Sequence, residues 1–207
     1  MNSSAVPALV LAGGMSERMG ACKYLLPFGA ESVLGHILQI ASSIPEISWL
    51  GVVTGHFKQE LAPLLTKYHA QEVENPFYRT GEMLSSVQAG VRALPANATG
   101  FLLLLGDQPL IDSELLRKIL RVAEETRAPI VQPQCENRRG HPIYFDSGCI
   151  AEILALPPDA TLKHVVSRHE SQRRTVPLTD AHILQDIDTQ SEYLQLLSTF
   201  IGRKPHA

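Results

Sequence analysis

Two glycines followed by two cations give this sequence its first visible chemistry. The run is Leu11-Ala12-Gly13-Gly14-Met15-Ser16-Glu17-Arg18-Met19-Gly20-Ala21-Cys22-Lys23. Lacking a Cβ, Gly13 and Gly14 let the backbone come close to phosphate and turn its N–H groups inward. The Arg18 guanidinium can hold two oxygens at once, and the Lys23 ammonium adds a mobile point charge. No glycine directly precedes the lysine and no Ser or Thr follows it, so this is not a Walker A loop. The glycine spacing is not GxGxxG either. A plain glycine turn with two surface cations is the competing reading. Cys22, inside the loop, reads as a small space-filler, with a thiol role for a residue beside Lys23 as the alternative.

Carboxylates supply the second half of the chemistry. Gly106-Asp107-Gln108-Pro109 follows an apolar run, and Asp186-Ile187-Asp188-Thr189 lies near the C-terminus. Mg²⁺ is a hard ion that takes one or two carboxylates and completes its shell with phosphate oxygens and water. Asp107, at a strand end, is suited to that role. Against this, Asp107 could serve a turn, and Asp188 or Thr189 could cap the last helix. Arg139-Gly140-His141-Pro142 offers a cation and an imidazole for an acceptor phosphate, although a histidine near a turn is often structural. Ser85 and Ser86 offer hydroxyls and N–H groups at a helix start, as an ordinary helix N-terminus also would.

A frame for these residues is legible in the hydrophobic pattern. Apolar runs at 8–12, 49–54 and 101–105 predict strands, a further strand is expected at 70–74, and weaker candidates lie at 130–133, 142–145 and 174–176. Helical spacing predicts helices after Ser32, at 58–67, 82–94, 112–125, 148–156, 161–168 and 190–200. Pro63 argues against a regular middle for the second of these. Strands alternating with helices predict a three-layer α/β/α sandwich with a mostly parallel mixed sheet. In such sheets ligands bind beyond the carboxyl ends of the strands, where both Gly13 and Asp107 fall.

Composition narrows the function classes. Hydrophobic residues make up 44% and charged residues 19% of the 207, a balance that supports a packed core. The formal net charge is −3, and basic residues cluster no further than short pairs such as Arg138-Arg139 and Arg173-Arg174. No broad cationic footprint for nucleic acid exists, so an anionic ligand must be met locally. Three cysteines without CxxC spacing indicate neither a disulfide framework nor a structural zinc. No apolar stretch approaches the roughly 18–20 residues of a membrane span. One cytoplasmic domain over residues 1–207 is expected.

The glycine loop resembles the LAxGxSxRMGxxK signature of nucleotidyltransferases with a GT-A-like, Rossmann-like fold, and especially the molybdenum-cofactor nucleotidyltransferases. Lys23-Tyr24-Leu25-Leu26-Pro27 is similar to that family's KxLLP run. The resemblance implies that the segment from Leu11 to Gly14, with Arg18 and Lys23, binds the phosphates of an NTP. It further implies a metal on Asp107 within GDQP and on Asp188 within a segment similar to DIDTPED, where Gln190 replaces the usual proline. Asn75 with Gly81-Glu82-Met83-Leu84-Ser85-Ser86 resembles the stretch that cradles base and ribose, and Arg139 with His141 resembles the acceptor motif RGHP. GDQP and RGHP lean to the cytidylyl branch and Ala12-Gly13-Gly14 to the guanylyl branch, so CTP is favoured with GTP as the alternative. The implied acceptor is molybdopterin or Mo-molybdopterin, the implied cofactor Mg²⁺, and a client molybdoenzyme is a further implied partner. Two rivals stay open: a sugar-phosphate nucleotidyltransferase, and a non-catalytic carrier of the cofactor.

Overall fold

The computed structural model describes residues 5–202. Its elements are, in chain order, β1 (Val6–Ala12), β2 (Pro27–Phe28), β3 (Glu31–Ser32), α1 (Val33–Ser42), β4 (Ile47–Thr54), α2 (Lys58–Lys67), β5 (Gln71–Glu74), α3 (Met83–Arg92), β6 (Gly100–Leu105) and α4 (Ser113–Thr126). They continue with β7 (Ile130–Cys135), β8 (Arg138–Arg139), β9 (Ile143–Asp146), α5 (Ser147–Leu154), α6 (Lys163–Arg168), β10 (Arg174–Pro177) and α7 (Gln190–Gly202).

The main sheet runs β10-β7-β9-β6-β1-β4-β5, with β8 pairing on β7. The pairs β1–β4, β1–β6, β4–β5 and β7–β10 are parallel, and β9 runs antiparallel to both its neighbours. The expected mixed, mostly parallel sheet is therefore observed. Alternating residues of β1 and β6 feed two different cores, because successive strand side chains leave opposite faces. Val10 and Leu104 pack with Leu34, Leu38, Leu116 and Ile119 of α1 and α4. Leu9 and Leu103 pack with Val87, Val91, Ile153 and Val165 of α3, α5 and α6. Burial on both faces explains why these strands read as unbroken apolar runs.

Helix starts follow from side-chain caps. Ser32 Oγ accepts from Gly35 N at 3.1 Å, and an Asp112 carboxylate oxygen accepts from Leu115 N at 2.7 Å. The helix expected at 58–67 is observed, and Pro63 does not interrupt its middle. Pro63 lies on the exposed side of α2, where it removes one backbone donor, and buried Leu61 and Leu65 hold the helix to the core. A third cluster of Phe28, Val33, Leu110, Ile187, Tyr193 and Leu196 docks α7 beside the β2–β3 hairpin. Among the described residues, no helix is long and apolar enough to cross a membrane.

Candidate active site

Parallel pairing brings the glycine loop and the GDQP segment to one sheet edge. Leu11 lies beside Leu105 in register, so Gly13 and Asp107 leave adjacent strands in the same direction. Gly106 N donates to Leu11 O at 2.8 Å. A Cβ on Gly106 would stand 2.8 Å from that carbonyl, so only glycine lets the two strand ends close up. Beyond Gly14 the chain turns through Ser16 at φ 52°, whose hydroxyl accepts from Lys23 N at 3.2 Å. Gly14 N donates to the Tyr24 hydroxyl at 3.1 Å. Burial, and then the charge of Asp107, push the Tyr24 phenol up, so its proton stays on.

The ammonium of Lys23, only 7% exposed, links the two candidate metal carboxylates. Its Nζ stands 2.6 Å from Asp107 Oδ2 and 2.9 Å from Asp188 Oδ1, and Arg18 Nη2 lies 2.8 Å from Asp188 Oδ2. Burial disfavours charge on Lys23, yet Asp107 and Asp188 together hold its pKa above the ordinary lysine value. Burial likewise raises the Asp107 carboxyl, and Lys23 offsets only part of that rise. At Asp188 burial again pushes upward, but Lys23 and Arg18 together outweigh it and the carboxyl sits below its ordinary value.

The segment carrying Asp188 is tied to the GDQP turn. Ile187 N donates to Asp107 O at 3.0 Å, and Gln108 Nε2 donates to Asp186 Oδ1 at 2.5 Å. Capping of α7 falls to other residues. Thr189 Oγ1 accepts from Glu192 N at 3.3 Å, while Glu192 Oε2 accepts from Asp188 N at 3.0 Å and Thr189 N at 2.8 Å. This reciprocal arrangement is a capping box. It leaves the Asp188 side chain for the cations.

A cavity of about 310 Å³ opens beside the loop, lined by Gly13, Gly14, Lys23, Tyr78, Ser86 and Asp107 among others. Asn75 Nδ2 donates to Ser85 Oγ and Ser86 Oγ, each at 2.9 Å, and Asn75 Oδ1 accepts from Phe77 N at 3.0 Å. Ser85 and Ser86 are thus held at the start of α3, and Ser86 faces the cavity. Leu11 lines the same cavity, and Ala12 is fully buried at the strand end behind it.

Arg139 and His141 are not brought to this cluster. Arg139 Nη1 pairs with Glu170 at 3.0 Å, on the β7–β8 side of the molecule. His141 has a buried Nε2 with no partner among the described residues, and burial lowers its pKa to about 4. A neutral, enclosed imidazole suits packing better than a grip on phosphate. The residues that sequence reasoning missed are Tyr24, Gln108 and Asp186 in their supporting roles. Each sits inside or beside a motif already singled out, but its hydrogen-bond partner is distant in sequence or set by the fold.

The donor set fits a hard divalent cation. One ammonium already reaches an oxygen of both Asp107 and Asp188, which shows that a single cation can be shared between them. Among the described residues no group of three or more His, Cys, Asp or Glu could hold a metal. Any ion there must draw its remaining ligands from phosphate and water, as Mg²⁺ does.

Comparison with known proteins gives the family. Residues 8–174 match the family model described as MobA-like NTP transferase domain. The molybdenum cofactor cytidylyltransferase of Escherichia coli (strain K12) is 28% identical over 92% of this chain and 95% of its own length. The purine catabolism protein PucB of Bacillus subtilis (strain 168) is 26% identical over 93% of this chain and 96% of its own. Among solved structures, that of Rv0371C from Mycobacterium tuberculosis H37Rv in complex with manganese superposes with a TM-score of 0.76 at 26% identity. It covers 94% of this chain and 99% of that one. The chain belongs to the MobA-like NTP transferase family and is a nucleotidyltransferase.

Proposed function

We propose that this member of the MobA-like NTP transferase family moves CMP from CTP to the terminal phosphate of molybdopterin, with Mg²⁺, releasing pyrophosphate. The observation that carries the reading is the ion cluster at the end of the glycine loop. Lys23 joins Asp107 and Asp188 there, and Arg18 stands beside them. Two polyanions must meet for the reaction to occur, and this is the one place where loop, cations and carboxylates converge. The similarity to the Escherichia coli molybdenum cofactor cytidylyltransferase favours CTP and a molybdopterin acceptor, with or without molybdenum bound. GTP is the alternative donor, on the strength of Ala12-Gly13-Gly14.

The step is an in-line displacement. An oxygen of the acceptor phosphate forms a bond to the α-phosphorus, the bond to the bridging oxygen of the β-phosphate breaks, and pyrophosphate leaves. A phosphate oxygen needs no general base near pH 7, so the protein's task is charge and position. The glycine loop lets the backbone come close to the triphosphate, and Lys23 and Arg18 offset its charge. Ser86 faces the nucleoside. A Mg²⁺ ion held by Asp107 and Asp188 would supply further neutralisation of the phosphate oxygens. Cytoplasm is the expected compartment for an enzyme drawing on NTPs, and a molybdoenzyme is its expected client.

Incubation with Mg²⁺, each NTP and molybdopterin, followed for dinucleotide and pyrophosphate, tests the proposal. CTP with molybdopterin should give both products, and sugar phosphates should give neither. Asp107→Ala should nearly abolish turnover; wild-type rates in that variant would remove Asp107 from the chemistry. Tight binding of molybdopterin without NTP consumption would instead mark a carrier.

A further inference from the structure

Arg138 and Arg139 are neighbours on β8, so their side chains leave opposite faces of the strand. The two have different fates. Arg139 is committed to Glu170, which also receives Arg173. The Arg138 guanidinium has no ion pair or hydrogen bond among the described residues, and Arg138 lines a cavity of about 340 Å³ with Asp186, Asp188, Glu192 and Gln195.

That cavity adjoins the ion cluster. It shares Asp186 and Asp188 with the cavity that Ser86 faces, and Asp188 with a third of about 360 Å³ formed by the loop residues Gly14 to Arg18 and by Lys23. Three compartments thus meet at Asp188. The loop compartment carries Gly14 and two cations, Arg18 and Lys23, which suits a triphosphate tail. The compartment of Ser86 suits the nucleoside. The one with Arg138 has no assigned occupant.

Its carboxylates are already engaged. Asp188 is paired with Lys23 and Arg18, Asp186 accepts from Gln108, and Glu192 accepts from Asp188 N, Thr189 N and the Thr189 hydroxyl. Asp186 and Glu192 meet only neutral donors and keep their negative charge. The Arg138 guanidinium, the one cationic side chain among the described residues lining this compartment, is therefore the group there that can hold a terminal phosphate, in two-point fashion.

We infer that Arg138, rather than Arg139, receives the terminal phosphate of the acceptor in the cavity beside Asp188. The inference rests on the nucleotidyl-transfer reading above and names the subsite that reading left open. It places the nucleophile and the leaving pyrophosphate in different compartments, with Asp188 as the lining residue common to both.

Steady-state kinetics with Mg²⁺, CTP and molybdopterin provide one arm of the test. Arg138→Ala should raise the KM for the acceptor by about 10- to 100-fold, the cost of losing a charge-assisted contact. The KM for CTP should change by less than about threefold, since its phosphates are met elsewhere. Arg138→Lys should restore part of the loss, and Arg139→Ala should leave the acceptor KM unchanged. The second arm needs no turnover: ³¹P line broadening of inorganic phosphate, with protein, Mg²⁺ and a non-hydrolysable CTP analogue, should be seen for wild type and lost in Arg138→Ala. An unchanged acceptor KM, an equal rise for CTP, or broadening that survives in Arg138→Ala overturns the inference. Broadening that depends on Arg138 in an enzyme inert toward molybdopterin sinks only the named acceptor and upholds the subsite.

Discussion

Replacing Lys23 by methionine separates the two tasks that its ammonium performs. In the absence of metal it is the cation between Asp107 and Asp188, at 2.6 and 2.9 Å, and it is 7% exposed. Removing one partner of a buried ion pair costs about 3–5 kcal/mol. Asp188 is 36% exposed in its side chain and keeps Arg18, so the cost falls to the bottom of that range or just below it, about 2–3 kcal/mol. For a chain of this size that corresponds to a fall in Tm of about 4–12 °C in EDTA. Metal should then behave in the opposite sense. A unit charge about 4 Å away at an effective dielectric of about 20 is worth about 4 kcal/mol, and the lysine can recover part of this by swinging aside. Lys23→Met should therefore bind Mn²⁺ at least about tenfold more tightly than wild type, a difference of about 1.4 kcal/mol. Turnover should nevertheless drop about 10²–10³-fold, because a charge facing the triphosphate is gone. Thermal melts with EDTA or Mn²⁺, free Mn²⁺ measured by electron paramagnetic resonance, and pyrophosphate release cover the three quantities. Weaker Mn²⁺ binding in the variant would refute the reasoning, because the ammonium would then not compete with the metal for these carboxylates.

Three further outcomes follow from specific contacts. His141 takes up a proton near pH 6.5 when unfolded and only near pH 4 when folded, so stability should fall as pH drops through that window, by up to about 3 kcal/mol from this residue. His141→Gln should flatten the fall in urea midpoints between pH 7 and 4.5, and parallel wild-type and variant curves would contradict it. Gly106→Ala forces a Cβ to 2.8 Å from Leu11 O and should cost about 1–3 kcal/mol in urea unfolding while raising the KM for CTP; an unchanged variant would show that the strand ends need not close. Glu192→Ala removes the acceptor of the α7 cap and should cost about 1 kcal/mol, with metal affinity lowered less than in Asp188→Ala; equal losses in both variants would show that Glu192 acts on the metal site rather than on the helix.

Much of the frame was legible because it depends on pattern. The unbroken apolar run of β6, ending in Gly106-Asp107, specified both a doubly covered strand and an acid at its carboxyl end. The antiparallel course of β9 was not legible, since an apolar run reads alike in either direction. The helix at 58–67 was legible despite Pro63, although a propensity rule leaves out the burial of Leu61 and Leu65 that holds its middle. The two readings of Asp188 were separable in principle: Thr189 and Glu192 stand at capping-box spacing, which frees the aspartate for other partners. The fates of Arg138 and Arg139 were not separable. Strand alternation sends them apart, but which one meets Glu170 depends on where α6 delivers that residue.

The second carboxylate also shows how the last helix enters the chemistry. Asp188 lies beyond residue 174, where the family match ends, and nothing in the main sheet holds it in place. Its position comes from Ile187, which is fully buried and donates its N–H to Asp107 O at 3.0 Å. It comes also from α7, whose Tyr193 hydroxyl donates to Pro27 O at 2.6 Å. Pro27 follows the short helical turn that carries Lys23. The docking of α7 therefore fixes Asp188 and braces the loop from which Lys23 projects, so that one packing event sets the distance between the two. Changes in the apolar contacts of Ile187 or Leu196 should reach the reaction through this distance, without touching a phosphate oxygen.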